Sequence, residues 1–286
     1  MLLLIAITAF ALLCAAMMGI LGGILAVLPA FVAGWIVGLI LVLLFLVVAC
    51  LVVNLEKEQT CDSKFYRCIT HLYIDLALIL GRIDLRTQGL DKIPTQGRFM
   101  MVCNHLNELD PAVMLYCFPK SQLSFIGKKE TKNYPLVAQV MHKLRCPLID
   151  RENDREALKT ILHCIDMIKK DEASIGVFPE GYVSEDGRLR HFRSGVFKIA
   201  QKTGVPIVVC TVRNTKRAMR DLFALRKTWI ELHLVDVIDA ETVKATPTTD
   251  MAERVYEMMI GDLGEKYRTD EKAMHPKLQT VVDPIE

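Results

Sequence analysis

The amino-terminal part of this 286-residue chain lacks charge altogether. Residues 1–53 contain no Asp, Glu, Lys or Arg, so all 68 charged residues lie between residues 54 and 286. So long an apolar stretch excludes a wholly soluble protein. The rest of the chain is about 29% charged, which is ordinary for a soluble domain. The sequence therefore predicts one membrane segment followed by one globular domain.

The chain also lacks any Cys-x-x-Cys pair. Its nine cysteines are odd in number and scattered along the sequence, which argues against a disulfide framework and against a zinc site. We therefore expect reduced, mostly buried thiols. The formal net charge is only +2, and so small an excess of basic residues argues against a nucleic-acid-binding surface.

The uncharged segment has the length of two membrane-spanning helices. A helix rises about 1.5 Å per residue and the hydrocarbon core is about 30 Å thick, so about 20 apolar residues cross it. We place spans at about residues 2–21 and 31–53, joined by a turn because Gly22-Gly23 and Leu28-Pro29 disfavour helix. Two alternatives stay open. One is a re-entrant hairpin in one leaflet, and the other is a cleaved signal peptide, although the basic start and short apolar core of such a peptide are missing.

Basic residues after the second span indicate the orientation of the chain. Lys57, Lys64 and Arg67 follow it, and positive charge favours the cytoplasmic side. We therefore expect an integral protein of the cell membrane with its globular domain in the cytoplasm. Residues 54–82 connect the two parts, and apolar side chains at helical spacing predict an amphipathic helix there. Such a helix either lies on the lipid headgroups or packs on its own domain.

From residue 83 onwards, short apolar runs alternate with helical patterns, which indicates a layered α/β domain extending to about residue 268. Two helices are well signalled, at 154–169 and from Asp250 to about Lys266, and residues 269–286 are expected to be a loose tail. The predicted strands are Ile83–Thr87, Phe99–Cys103, Leu123–Ile126, Pro147–Ile149, Ser174–Phe178, Pro206–Val212 and Trp229–Val237.

One motif has the spacing of an oriented general base. His105 follows a predicted strand, and Asp110 comes five residues later where a helix begins. A carboxylate in that place fixes the imidazole tautomer and stabilises the protonated ring. On its own the pair is weak evidence, because a His–Asp contact is often only a helix cap.

Three further elements carry polar groups at strand ends. Phe178-Pro179-Glu180-Gly181 exposes a turn whose backbone N–H groups can meet a ligand. Arg151 follows the strand at Pro147–Ile149, where its guanidinium can bind a phosphate or simply form a surface ion pair. The run Gly204–Val209 has the texture of a buried strand.

Together, in this order and at these distances, the four elements resemble the glycerolipid acyltransferase family, which includes the 1-acyl-glycerol-3-phosphate (lysophosphatidic acid) acyltransferases. The resemblance covers roughly residues 83–240, and it includes the lead-in Gly89–Pro94 and the Lys128-Lys129-Glu130 sequence. It implies a layered αβα domain with a mixed sheet. It also implies transfer of an acyl group from a thioester of acyl carrier protein or coenzyme A to a lipid hydroxyl, with the thioester as co-substrate and without a metal or bound cofactor.

The resemblance implies roles for individual residues. His105 and Asp110 are the expected catalytic pair. The residues expected to bind substrate are Asn104, Lys128, Arg151, Glu180, Gly181 and Arg193. One departure concerns the third element, where the family commonly has Thr-Arg after Glu-Gly and this chain has Tyr182-Val183. A cation that could meet the acceptor phosphate is therefore missing, and Arg188, Arg190 or Arg193 are the candidates to replace it.

The expected function is acylation of the sn-2 hydroxyl of 1-acyl-glycerol-3-phosphate to phosphatidic acid in phospholipid biosynthesis. The expected partners are the lysophospholipid acceptor, the thioester donor and the lipid bilayer, with no nucleic acid. Three alternatives remain: an acyltransferase for another lysophospholipid or an amino-acid lipid, a hydrolase that uses the same pair, and a catalytically silent membrane scaffold.

Overall fold

The computed structural model describes residues 1–224 and 226–272. The helices are α1 Leu2–Gly22, α2 Val27–Leu51, α3 Lys64–Leu80, α4 Asp110–Cys117, α5 Val137–Lys143, α6 Asp154–Lys169, α7 Lys198–Thr203, α8 Thr215–Phe223, α9 Ala240–Ala245 and α10 Thr248–Leu263. The strands are β1 Ile83–Gln88, β2 Met100–Cys103, β3 Leu123–Phe125, β4 Gly127–Lys128, β5 Leu148–Ile149, β6 Ser174–Val177, β7 Leu189–His191, β8 Ile207–Arg213, β9 Thr228–Ile238 and β10 Arg268–Lys272.

Six strands form a mixed sheet in the order β1-β9-β8-β2-β6-β3. Strands β8, β2, β6 and β3 are mutually parallel, and β9 runs antiparallel to β8. The prediction of an α/β fold with a mixed sheet is confirmed. The predicted strand at Pro147–Ile149 exists as β5, but it pairs with β4 in a separate two-stranded ribbon. Because the parallel strands β2 and β6 end side by side, the segments that follow them meet at one edge of the sheet.

Helices cover both faces of this sheet because apolar side chains of its central strands point to both sides. On β2, Met100 and Val102 belong to the core shared with α6, α7 and α10. The alternate residues Met101 and Cys103 belong to the core shared with α4 and α8. The sheet is thus the middle of three layers, as the resemblance implied.

Helices α1 and α2 pack against each other as a hairpin. Both are long and apolar enough to cross a membrane, and α1 with its 21 residues is about 31 Å long. Two glycines of α2 permit the close approach: a Cβ atom on Gly34 would lie 3.0 Å from the Cα of Ala11, and one on Gly38 would lie 3.2 Å from Ile7. Small residues at such an interface let helix backbones pack closely.

The turn of the hairpin is shorter than the sequence predicts. Gly23 has a φ of 74°, and α2 begins at Val27 instead of near residue 31. Pro29 therefore lies inside the helix. It is tolerated there because the first turn of a helix has no partner for its N–H groups.

Helix α3 packs on its own chain, on both the hairpin and the globular domain. The Tyr66 hydroxyl donates a hydrogen bond to the carbonyl of Ala49 at 2.6 Å, and Tyr73 donates to the carbonyl of Val42. The amino-terminal ammonium of Met1 pairs with Asp75. On its other side, α3 contacts α4 and β1. The base of the hairpin is thereby fastened to the domain.

The carboxyl-terminal part differs in two details. Helix α10 ends at Leu263, not near Lys266, and Gly264 follows it with a φ of 103°. The first residues of the expected tail form β10, which pairs with β7. The remainder, residues 273–286, lies outside the described residues.

All nine cysteines are free thiols, and Cys61 and Cys68 are exposed.

Candidate active site

His105 and Asp110 meet where β2 leads into α4. The Nδ1 atom of His105 lies 2.7 Å from Oδ2 of Asp110, and the same oxygen accepts hydrogen bonds from the backbone N–H groups of Leu106 at 2.7 Å and Asn107 at 2.9 Å. Asp110 is fully buried, whereas the side chain of His105 is 14% exposed. The carboxylate therefore holds the imidazole by Nδ1 and leaves Nε2 for a substrate.

Phe178 supports the imidazole from one side. Its ring stacks on His105 with 4.2 Å between the centroids and 17° between the planes. Phe178 directly follows β6, so the sheet places it beside the loop that follows β2. The sequence interpretation treated Phe178 only as the end of a strand. Its contact with His105 depends on parallel neighbours far apart in sequence.

Glu180 fastens the His105 loop to β7. One of its oxygens accepts a hydrogen bond from the backbone N–H of His105 at 2.9 Å, and the other accepts one from the N–H of Arg190 at 3.0 Å. The residue is buried, and this burial raises its pKa to about 8, although the two N–H donors act in the opposite direction. Glu180 is therefore a positioning residue. A direct contact between Glu180 and substrate stays a prediction.

Asn104 performs a similar task on the other side of His105. Its side-chain amide donates to the carbonyl of Val212 at 3.0 Å and accepts from the N–H of Val212 at 2.8 Å. This exchange continues the pairing of β2 with β8 beyond Cys103. Asn104 thus fixes the direction in which the chain leaves the strand, and its predicted contact with substrate is untested.

Arg151 and Arg193 converge on one aromatic ring. Their guanidinium carbons lie 4.9 and 5.3 Å from the ring centroid of Tyr182. Burial lowers the pKa of Arg151, and the positive charge of Arg193 adds to that effect. Among residues 1–224 and 226–272, neither guanidinium forms an ion pair with a carboxylate. Two cations held so close together favour an anion as their ligand.

Gly181 makes room for Arg193. Its φ of +82° lies in the region that favours glycine. A Cβ atom there would lie 3.0 Å from Nε of Arg193. Gly181 therefore leaves room for the side chain of Arg193, and its own predicted contact with substrate stays a prediction.

The other two arginines that could replace the missing cation are engaged elsewhere. Arg190 is buried and pairs with Asp186 at 2.9 Å. Arg188 lies 3.5 Å from the same carboxylate. Arg193, by contrast, lies over the Tyr182 ring together with Arg151. The sequence predicts Arg193 as a substrate-binding residue and as one of three candidate cations, but it gives Tyr182 only as a departure from the family pattern.

Lys128 lies on β4, next to the strand that precedes Arg151. It pairs with Ile149 of β5, and Arg151 follows Ile149 by two residues. Its ammonium group lies 5.7 Å from the ring centroid of Tyr134. Its expected contact with substrate stays a prediction.

No group of three or more His, Cys, Asp and Glu side chains that could hold a metal ion occurs in the described part of the chain.

Comparison with known proteins connects this geometry to a family. Residues 84–213, which include His105, Asp110, Arg151 and Glu180, match the family described as Acyltransferase. This part of the chain is therefore similar to the acyltransferase family. The resemblance deduced from its four motifs is thereby confirmed, and the matched residues run from β1 to the end of β8.

Relatives of the chain carry the name of one enzyme. The chain is 32% identical over 158 residues to a chloroplastic 1-acyl-sn-glycerol-3-phosphate acyltransferase of Brassica napus, with 54% of this chain and 44% of the relative covered. It is 27% identical over 223 residues to the 1-acyl-sn-glycerol-3-phosphate acyltransferase of Saccharomyces cerevisiae, with 77% and 71% covered. The match thus spans less than half of the length of the plant relative.

A solved structure shows the same fold. The crystal structure of the 1-acyl-sn-glycerophosphate acyltransferase PlsC from Thermotoga maritima superposes with a TM-score of 0.53 at 21% identity. The superposition covers 71% of this chain and 84% of the Thermotoga chain.

Proposed function

We propose that this protein transfers a fatty acyl group from a thioester to the sn-2 hydroxyl of 1-acyl-glycerol-3-phosphate and so forms phosphatidic acid. The observation that carries the proposal is the contact of 2.7 Å between His105 Nδ1 and the buried carboxylate of Asp110. The match of residues 84–213 to the acyltransferase family and the name carried by the two relatives support it.

The chemistry needs a base because a hydroxyl is a poor nucleophile. Nε2 of His105 takes the proton of the acceptor hydroxyl as its oxygen attacks the thioester carbonyl. Asp110 stabilises the resulting imidazolium. The C–O bond forms, the C–S bond breaks, and the leaving thiolate takes up the proton. General-base help of this kind is worth about 10²–10⁴-fold, and positioning of the two substrates supplies much of the rest.

The acceptor phosphate is the anion that Arg151 and Arg193 hold in this proposal. Both guanidiniums face Tyr182 and have no carboxylate partner among the described residues. A guanidinium binds phosphate through a planar fork of N–H donors. Arg193 thus takes the part of the arginine that the family commonly carries at the position of Val183.

The membrane is the proposed location of the reaction. The α1–α2 hairpin has the length and composition to lie in a bilayer, and the basic residues that follow it favour a cytoplasmic domain. The lipid acceptor would then reach the site from the membrane surface. The donor would be a thioester of acyl carrier protein or coenzyme A, and the product would enter phospholipid biosynthesis.

A second candidate acceptor, another lysophospholipid or an amino-acid lipid, is favoured by the Tyr182-Val183 departure. A panel of lysolipids decides between them. The full-length protein in proteoliposomes is supplied with acyl-carrier-protein or coenzyme A thioesters, and products are identified by mass spectrometry. We expect phosphatidic acid from 1-acyl-glycerol-3-phosphate as the fastest product. A faster product from another acceptor, or free fatty acid alone, would refute the proposal.

A further inference from the structure

Strand β1 is an open edge of the central sheet. It is the first strand in the order β1-β9-β8-β2-β6-β3, and its six residues pair in uninterrupted register with β9. The N–H of Thr228 donates to the carbonyl of Arg82, so alternate residues from Arg82 onward bond to β9. The backbone groups of Ile83, Leu85 and Thr87 therefore point away from the sheet. In the part of the chain that the structure describes, no hydrogen bond reaches those groups.

An unpaired strand of this kind is a template for a further strand. Natural proteins block such edges with proline, with a bulge or with charged side chains. The sequence of β1 is Ile-Asp-Leu-Arg-Thr-Gln, without proline and with only two charges, which are of opposite sign. The edge is therefore closed to most strands but open to one that carries the complementary charges.

An apolar recess lies beside this edge. A cavity of about 420 Å³ is lined by Ile83 and Leu85 of β1 and by Leu78 and Ile79 of α3. Leu80, the last residue of α3, is 37% exposed. Apolar surface next to unpaired backbone groups indicates a site for another polypeptide chain. It also shows that α3 covers the face of β1 to which the side chains of Ile83 and Leu85 point.

The charges of β1 select a second copy of the same strand. When two copies pair antiparallel about Leu85, Asp84 of each copy lies opposite Arg86 of the other. Within one chain these side chains meet at 2.9 Å, and they are 49% and 59% exposed, so they are accessible to a partner. Opposite charges in directly opposed positions stabilise paired strands.

The backbone selects the same register independently. The outward N–H and C=O groups belong to Leu85 and to its alternate neighbours Ile83 and Thr87. Pairing about Leu85 therefore joins Leu85 to its own copy and Ile83 to Thr87 through hydrogen bonds. Asp84 and Arg86 then occupy the non-hydrogen-bonded positions, where opposed side chains lie closer together.

We propose that β1 binds β1 of a second copy of this chain and that the protein is a twofold-symmetric dimer. The pairing joins two six-stranded sheets into one continuous sheet. It also brings Leu85 of each copy to the apolar recess of the other, because directly opposed side chains lie on the same face of a sheet.

The symmetry of this pairing suits a protein held in one membrane. The twofold axis passes through Leu85 at right angles to the sheet, so α3 of both copies lies on the same face. The hairpin is fastened to α3 through Tyr66 and Tyr73. Both hairpins are therefore attached on the same side of the joined sheet. This last argument rests on the proposed membrane location of the hairpin, whereas the strand pairing does not.

Charge reversal tests the pairing in the full-length protein. Asp84→Arg gives each copy two arginines in β1, and Arg86→Asp gives each copy two aspartates, so each variant repels its own copies. An equal mixture of the two variants restores both opposed pairs. Light scattering after gel filtration in detergent measures the protein mass, which is 32.3 kDa for one chain. Melting curves show that each variant is folded.

Two further kinds of variant complete the test. Glu156→Lys and Lys159→Glu are the matched controls, because they reverse another exposed ion pair, on α6. Thr87→Pro removes an outward N–H that β9 does not use. An edge strand tolerates proline at such a position, so the sheet of one copy is kept while hydrogen bonds between the copies are lost.

We expect twice the single-chain mass for the wild type, for both α6 controls and for the mixture. Asp84→Arg, Arg86→Asp and Thr87→Pro should each have the mass of one chain when alone. A wild-type protein with the mass of one chain would overturn the dimer. A doubled mass for the separate charge variants would overturn β1 as its interface. If those variants do not fold, a doubled mass for Thr87→Pro has the same meaning.

The measured mass does not depend on acyl transfer. A protein that dimerises through β1 but forms no phosphatidic acid would refute only the proposed function. A single-chain protein that forms phosphatidic acid would refute only the dimer.

Discussion

At the scale of single residues, Glu180 has the most unusual electrostatic position in the site. Its pKa is about 8 in the folded protein, against 4.5 for an ordinary glutamate, because the residue is buried. A carboxyl group whose pKa rises on folding contributes stability that is fully present below its unfolded pKa. That contribution is lost as the pH rises through the folded value. Titration of Glu180 thus lowers the free energy of unfolding as the pH rises.

Substitution Glu180→Gln removes this titration. We expect the melting temperature of the wild-type protein to fall relative to that of Glu180→Gln as the pH rises from about 4.5 to about 8. We also expect lower kcat in the variant, because an NH₂ group replaces one of the two accepting oxygens and one of the two backbone hydrogen bonds is lost. Melting curves over this pH range measure the first effect. The control is Glu241→Gln, which changes an exposed glutamate on α9. Parallel pH profiles of wild type and Glu180→Gln would contradict the assignment.

Arg193 is a predicted substrate-binding residue that the structure places beside Arg151, at the ring of Tyr182. Arg193→Ala should raise the KM for 1-acyl-glycerol-3-phosphate by roughly 10–100-fold, since a charge-assisted contact is worth about 1.5–3 kcal/mol. The kcat at saturating acceptor should change much less. Gly181→Ala should act in the same direction, because its Cβ would displace the guanidinium. Steady-state kinetics with Arg254→Ala, an exposed arginine of α10, as control provide the check. An unchanged KM in Arg193→Ala removes this residue from the site.

At the scale of elements, the hairpin depends on its glycines. A side chain at Gly34 would meet the backbone of Ala11, so Gly34→Leu should separate α1 from α2 and lower the melting temperature in detergent by several degrees. The matched control is Ala33→Leu, which adds the same side chain at an exposed position of α2. Equal melting temperatures for the two variants would show that close helix packing at Gly34 contributes no stability.

The sequence predicts the main elements because their patterns are local. Strands such as β6 and β8 are short apolar runs between polar segments, and α6 carries a regular apolar face and an Asn153 cap, which the structure shows accepting from the N–H groups of Arg155 and Glu156. The strand β5 is predicted, but the ribbon of β4 and β5 has two residues in each strand, too few to indicate which strand β5 pairs with. For the same reason its separation from the central sheet could not be predicted.

Part of the site is predictable because one of its motifs is local in sequence. His105 and Asp110 are five residues apart and form one local motif. Arg193 reaches Tyr182 from beyond β7, and Phe178 reaches His105 from a neighbouring strand. Such contacts depend on the order of strands in the sheet. Asn104 shows the same limit, because its partner Val212 is 108 residues away.

At the scale of the whole molecule, the proposed hairpin determines how the protein leaves a membrane. Hydrophobic insertion does not depend on ionic contacts, so the full-length protein should resist extraction by high salt and by alkaline carbonate and require detergent. Immunoblots of pellet and supernatant after each wash give the answer. A known peripheral protein in the same membranes serves as control. Quantitative release by carbonate would contradict two inserted helices.

The central claim is that His105 is the base of an acyl transfer to 1-acyl-glycerol-3-phosphate. The most direct test is the initial rate of phosphatidic acid formation in proteoliposomes by the wild type, His105→Ala and Asp110→Asn. We expect His105→Ala to lose at least about 10² in rate and Asp110→Asn nearly as much, because the wrong tautomer then faces the substrate. His163→Ala, at an exposed position of α6, should keep the wild-type rate. A folded His105→Ala protein that forms phosphatidic acid at the wild-type rate would contradict the account.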